Sequence, residues 1–278
     1  MLKNRMTAQV LGPLSVEVNG TSIVPTASKP RQILSLFALN PKRVIPVPTL
    51  MQELWGTKPP PSAPATLQTY ILHLRRQLDA AIDGGGPGAA KEVLTTRHGG
   101  YLLQVPAESV DVHQYQNKVA DGHVAFEAGD DERAAQFFQQ ALALWTGPAL
   151  VDVRHGPVLE IEVMRLEESR LNTVERRIDA NLRLGRHSEL VAELTELTAR
   201  YPQHEKLHSQ AMVALYRAGR QASALEIYRK LRIRMIEGLG VEPSLKVQRL
   251  HQAMLALDPR LDVVVGPSDR STRDFDLV

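Results

Sequence analysis

Thr66, Thr69, His73 and Arg76 recur at spacings of three and four within Thr66-Leu67-Gln68-Thr69-Tyr70-Ile71-Leu72-His73-Leu74-Arg75-Arg76-Gln77-Leu78. Leu67, Ile71, Leu74 and Leu78 fall between them at the same helical period and make one apolar face. The opposite face carries short hydrogen-bonding groups first and positive charge last. That is the chemistry for reading a major groove: small polar groups at base edges, guanidinium groups at phosphate. A second segment, Thr95-Thr96-Arg97-His98-Gly99-Gly100-Tyr101-Leu102-Leu103, reads as two short strands around a Gly-Gly turn with Arg97 and His98 at its tip. A helix followed by a basic hairpin predicts a winged helix-turn-helix. Thr66, Thr69 and His73 are expected at base edges, and Tyr70, Arg75 and Arg76 at phosphate or in packing. Arg97 and His98 are expected at the adjacent minor groove or its phosphates. Lys29 and Arg31, at a helix start, are candidates for holding a further phosphate.

The elements that must position these groups are legible upstream. Val10 to Val18 alternates, Asn19-Gly20 signals a hairpin, and Thr21 to Val24 continues it. A helix follows, with Ser28 as cap, Pro30 in its first turn, an apolar stripe of Ile33, Leu34, Phe37 and Ala38, and Pro41 at its end. Pro48 opens a second helix through Leu50, Met51, Leu54 and Trp55. The proline loop Gly56-Thr57-Lys58-Pro59-Pro60-Pro61-Ser62 then bars helix until Ala63-Pro64. Ala81 to Ala90, with its glycine run, predicts a flexible loop before the wing.

Composition bounds the rest. The chain has 278 residues, enough for two cores. It has no cysteine, which excludes disulfides, thiolate metal sites and thiol nucleophiles. The sequence shows neither a signal-peptide pattern nor a membrane-length apolar run, so the expected location is cytoplasmic and nucleoid-associated, with no membrane partner. Residues 1–110 hold 11 Lys/Arg against 6 Asp/Glu, a net of +5, while the remainder nets −3. A basic head on a mildly acidic body suits a polyanionic partner.

From Asp111 the pattern becomes helical. Three segments align on Gly129, Gly185 and Gly219. Five residues on lie Ala134, Leu190 and Ala224; nine on lie Phe138, Leu194 and Tyr228; twelve on lie Ala141, Leu197 and Leu231; sixteen on lie Trp145, Tyr201 and Met235. Gly185 and Gly219 are 34 residues apart, the period of a tetratricopeptide helix pair. The longer gap from Gly129 to Gly185 leaves room for an extra helix near Val158 to Ile178. Such stacked pairs are usually interaction scaffolds, and the recurring aromatics are expected in packing.

His204-Glu205-Lys206-Leu207-His208 matches the zinc-hydrolase string H-E-x-x-H, but no third ligand is placed in the sequence, so no metal is expected. No G-x-x-x-x-G-K-[ST] is present, and no cofactor is expected.

The ordered motifs Leu11-Gly12-Pro13-Leu14, Lys29-Pro30-Arg31-Gln32, Leu54-Trp55-Gly56, Thr66-Leu67-Gln68, Leu74 to Leu78, Gly99-Gly100-Tyr101, Ala143-Leu144-Trp145, Ala214 to Arg220 and Gly240-Val241-Glu242-Pro243-Ser244 resemble the SARP family of antibiotic regulatory proteins. The resemblance implies an α+β fold class at the N-terminus: an OmpR/PhoB-type winged-helix domain over 1–108. It implies an all-α, tetratricopeptide-like bacterial transcriptional activator domain over 109–258. A tail over 259–278 is expected to be disordered. It further implies a non-enzymatic activator that binds direct repeats in double-stranded DNA and recruits RNA polymerase holoenzyme to biosynthetic genes. A homodimer, at least on DNA, is implied too. The loop carrying Thr57, Lys58, Pro59, Pro60 and Pro61 is then the polymerase-facing surface. The chain departs from the family pattern at His73, where Arg is common. A neutral imidazole lacks the two-donor fork that matches guanine, so the resemblance carries no guanine preference to that position. The alternative reading is a helical-repeat adaptor whose winged helix does not read DNA.

Overall fold

Asn19 and Gly20 both adopt positive φ (51° and 81°), the geometry a two-residue hairpin turn demands. They join β2 (Ser15–Val18) to β3 (Thr21–Ser22), and β1 (Met6–Gln9) completes an antiparallel sheet in the order β1-β2-β3. The computed structural model describes residues 5–82 and 88–262. The alternating stretch expected from Val10 is strand only from Ser15. The Val10 and Leu11 amides leave the ladder and donate instead to the Asp111 carboxylate at 2.9–3.0 Å.

Three helices follow: α1 (Ser28–Leu39), α2 (Val47–Trp55) and α3 (Ala63–Ala81). Helix α1 starts at Ser28 itself, with Ala27 in the capping position and no side-chain cap. Proline sits in the first turn of both α2 and α3, where its missing amide costs nothing. Residues Asp83 to Pro87 of the expected glycine loop lie outside the described residues. Its far end is ordered as α4 (Ala89–Val93), whose Ala90 amide donates to Asp79 Oδ1 at 2.9 Å. A second sheet, ordered β4-β6-β5, comprises β4 (Ile45–Pro46), β5 (Leu94–Arg97) and β6 (Gly100–Leu103).

The helical part comprises α5 (Asp111–Glu127), α6 (Asp131–Leu142), α7 (Pro157–Arg183), α8 (His187–Arg200), α9 (Glu205–Arg217), α10 (Gln221–Leu239) and α11 (Leu245–Leu255). Two compact units emerge. The first takes in residues 1–120 and 140–171, the second 121–139 and 172–278.

In the first unit, one apolar core joins Val10, Leu11, Phe37, Leu50 and Leu54 to Trp145, Leu150, Leu159 and Leu166. Two buried carboxylates tie distant segments together. Glu53 of α2 accepts from the Gly156, Val158 and Leu159 amides at 2.6–3.0 Å and so caps the N-terminus of α7. Asp111 accepts from Val10, Leu11 and Val112. Burial pushes the Asp111 carboxyl above the usual carboxylate range, while those backbone amides pull it back.

In the second unit, Gly129, Gly185 and Gly219 share φ of 74–79° and one bonding pattern: each glycine amide donates to the carbonyl three residues back. This left-handed helix end is the turn the glycine alignment predicts. The aligned positions Leu190, Leu194, Ala224 and Leu231 are all buried. The extra helix expected near Val158 to Ile178 is instead the front of a single 27-residue helix, α7, which runs to Arg183. Helix α9 is buried without a break from Leu207 to Leu215 and packs against both α8 and α10. Of the expected tail, Pro259–Leu261 forms a 3-10 turn with Leu261 buried and its carbonyl held by Arg217 Nε at 2.7 Å. Residues 263–278 lie outside the described residues. No helix among the described residues is long and apolar enough to cross a membrane.

Candidate nucleic-acid interface

Helix α3 divides as its period requires. Leu67, Ile71, Leu74 and Leu78 are each no more than 2% exposed, which anchors the helix on the core of the first unit. Turned away from them, Gln68, Thr69, Leu72, His73 and Arg76 are exposed along the outer face. Thr66 is half-buried at its edge, and Tyr70 packs half-buried against the core. The Thr66 and Thr69 hydroxyls donate back to the Ser62 and Ala65 carbonyls at 3.0 and 3.1 Å. Their protons are thus engaged, which leaves each hydroxyl oxygen as an acceptor.

The two adjacent arginines differ in use. Arg75 Nε and Nη2 both donate to the Leu94 carbonyl, at 3.0 and 2.8 Å, and Nη2 also reaches Thr96 Oγ1 at 2.8 Å. Its fork ties α3 to β5 and so fixes the hairpin to the helix. Arg76 is exposed and has no ion-pair partner among the described residues.

The hairpin is built for a sharp tip. Arg97 pairs with Gly100, leaving His98-Gly99 as a two-residue turn with Gly99 at φ 75°. A Cβ on Gly100 would lie 2.3 Å from the Ile45 carbonyl oxygen, so only glycine lets β4 approach. Arg97 and His98 are exposed at this tip.

The pair at the start of α1 is engaged internally. Lys29 Nζ stands 4.5 Å from the Trp55 ring centre. Arg31 donates to the Pro25 and Asp152 carbonyls at 3.1 and 3.0 Å and pairs with the Asp152 carboxylate at 3.2 Å. The structure therefore brings Thr69, His73 and Arg76 onto one exposed face and leaves Arg31 and Arg75 as internal clasps. Thr57, Lys58, Pro59, Pro60 and Pro61 are all exposed between α2 and α3.

Sequence reasoning passed over Gln68 and Leu72, although the same period that selects Thr69 and Arg76 selects them. It also passed over Glu53 and Asp111. No local pattern marks a carboxylate whose partners lie about a hundred residues away. In the second unit, His204 Nε2 pairs with Glu175 Oε1 at 3.1 Å, and His208 Nδ1 lies 3.0 Å from the His204 carbonyl, 1% exposed. The H-E-x-x-H string thus serves the start and packing of α9. The described residues hold no group of three His, Cys, Asp or Glu placed for a metal.

A winged helix followed by glycine-turned helical pairs defines a class of bacterial transcription regulator, and comparison with known proteins agrees. Residues 20–103 match the "Transcriptional regulatory protein, C terminal" family, and residues 110–255 match the "Bacterial transcriptional activator domain" family. The chain is similar to the regulatory protein DnrI of Streptomyces peucetius, with 51% identity over 257 residues, 92% of this chain and 94% of that protein. It is 34% identical to the transcriptional regulator RedD of Streptomyces coelicolor, across 91% of this chain and 71% of RedD. Against the regulatory protein AfsR of Streptomyces coelicolor, identity is 37% over 91% of this chain but only 24% of that longer protein. The solved structure of Mycobacterium tuberculosis EmbR in complex with a low-affinity phosphopeptide superposes with a TM-score of 0.83 at 30% identity, covering 96% of this chain and 67% of that one. The chain belongs to the SARP-type transcriptional regulators that join an OmpR/PhoB-type winged helix to a bacterial transcriptional activator domain. Its relatives are regulators of transcription, not enzymes.

Proposed function

We propose that this regulator is a sequence-specific activator that binds direct repeats in duplex DNA near a promoter −35 region. There it recruits RNA polymerase to a secondary-metabolite gene cluster. The carrying observation is the outer face of α3, where Thr69, His73 and Arg76 are exposed and Arg76 is unpaired among the described residues. In this reading Thr66, Thr69 and His73 meet base edges, Arg76 meets phosphate or guanine, and Arg97 and His98 meet the neighbouring groove. Arg75 orients the wing, Tyr70 packs, and Lys29 and Arg31 steady the start of α1 near the backbone. Two protomers on repeats one helical turn apart lie on the same side of the duplex and pair there. The exposed Thr57 to Pro61 loop is the surface offered to polymerase. Such a protein works in the cytoplasm, on the nucleoid.

A nuclease footprint at physiological salt, with excess competitor DNA, tests this on promoters flanking the protein's own gene. Protected direct repeats beside an upstream promoter element are expected. Only salt-sensitive smearing, with no protected repeat, would favour the adaptor reading instead.

A further inference from the structure

Leu72 is 48% exposed in the middle of the outer face of α3, while the inner face is already filled by Leu67, Ile71, Leu74 and Leu78. Its neighbour one turn back, Gln68, is exposed on the same side. Neither residue is buried by the fold. An apolar group amid a polar reading surface loses hydrophobic free energy unless something apolar meets it. The major groove offers one such surface, the C5-methyl of thymine. A glutamine amide carries one donor and one acceptor edge, matching N7 and N6 of adenine. Of the two arginines one turn on, Arg75 is held by the Leu94 carbonyl and Thr96, and Arg76 stands exposed without an ion pair among the described residues.

We propose that Gln68 and Leu72 set operator specificity, with Gln68 reading the adenine of one A·T pair and Leu72 packing on a thymine methyl at a neighbouring step in each repeat. This rests on the DNA-reading function proposed above.

The test uses the full-length protein and its footprinted operator, with thymines replaced by uracil one at a time. Uracil removes only the methyl and keeps base pairing. One thymine per repeat should weaken binding by about fourfold when demethylated, the value of one buried methyl-sized group. The Leu72→Ala protein should bind the natural operator about fourfold less tightly. It should also be indifferent to uracil at that position. Gln68→Ala should lose discrimination between A·T and G·C at a single adjacent pair. Both side chains are exposed, so unchanged thermal melting is expected and would separate specificity from folding. Should every uracil operator bind wild type within about twofold, or should Leu72→Ala keep the uracil sensitivity, the assignment is overturned while DNA reading stands. Absence of any specific binding would overturn both.

Discussion

The winged-helix region and the helical unit use charge in opposite ways. Among the described residues from 5 to 110, Arg31 is the basic side chain held in an ion pair. Lys42, Arg43, Lys58, Arg76, Lys91 and Arg97 stand exposed without one. In the second unit most of the described cations close on carboxylates. Lys206 pairs with Asp179 at 3.0 Å, Arg183 with Asp131 at 3.3 Å and Arg186 with Glu132 at 2.5 Å, and Arg177 pairs with Glu193. The contrast gives the +5 charge of the first 110 residues a location. Unpaired cations gain little for folding and much from a polyanion, whose condensed counterions they release. Paired cations hold one helix to the next and have less to offer a partner.

Breaking the unpaired set should have the largest effect. Arg76→Ala with Arg97→Ala should lower operator affinity by about a hundredfold and flatten the salt dependence by about two phosphate equivalents, while leaving the melting temperature unchanged. Fluorescence anisotropy across a salt series reads both quantities. A fall in melting temperature would mean that these arginines support the fold.

The next largest effect belongs to the buried clasp within the first unit. Glu53 is 2% exposed and satisfies three amides at the start of α7. Glu53→Gln replaces one accepting oxygen with a donor aimed at donors, and should cost about 2–3 kcal/mol in urea unfolding. Faster hydrogen exchange at Gly156, Val158 and Leu159 should accompany it.

A smaller effect is a pH dependence that His113 of the first unit shares with four histidines of the second. Burial pushes His208 below the usual imidazole range, and it does the same to His123, His187 and His251. The folded form therefore binds fewer protons than the unfolded chain. The stability involved is fully present above ~6.5 and is lost as pH falls below that value. His208→Gln should flatten the acid side of the melting curve of the helical unit. Retention of the full slope would assign it to the other histidines.

The smallest effect sharpens the comparison from the paired side. Arg186→Ala removes a solvent-facing pair and should change stability by about 0–1 kcal/mol in thermal melting, with operator affinity unaltered.

The wing turn, expected at Gly99-Gly100, closes one residue earlier at His98-Gly99. Local residue patterns determined the exposed outer face of α3, the Asn19-Gly20 hairpin and the three glycine turns of the helical pairs. Each depends on a period or a backbone preference spanning a few residues, so each is written within its own segment. Period alone also selects Gln68 and Leu72; what it could not tell was which neighbouring arginine stays free. That was decided when β5 came within reach of Arg75 and took up its fork. Tertiary structure likewise decided that Glu53 caps a helix starting at Pro157 and that Asp111 holds the Val10 and Leu11 amides. It also decided that residues 140–171 share a core with the first helices. A buried carboxylate is stable only where donors from another part of the chain replace its lost water. No spacing along the sequence records where those donors arrive.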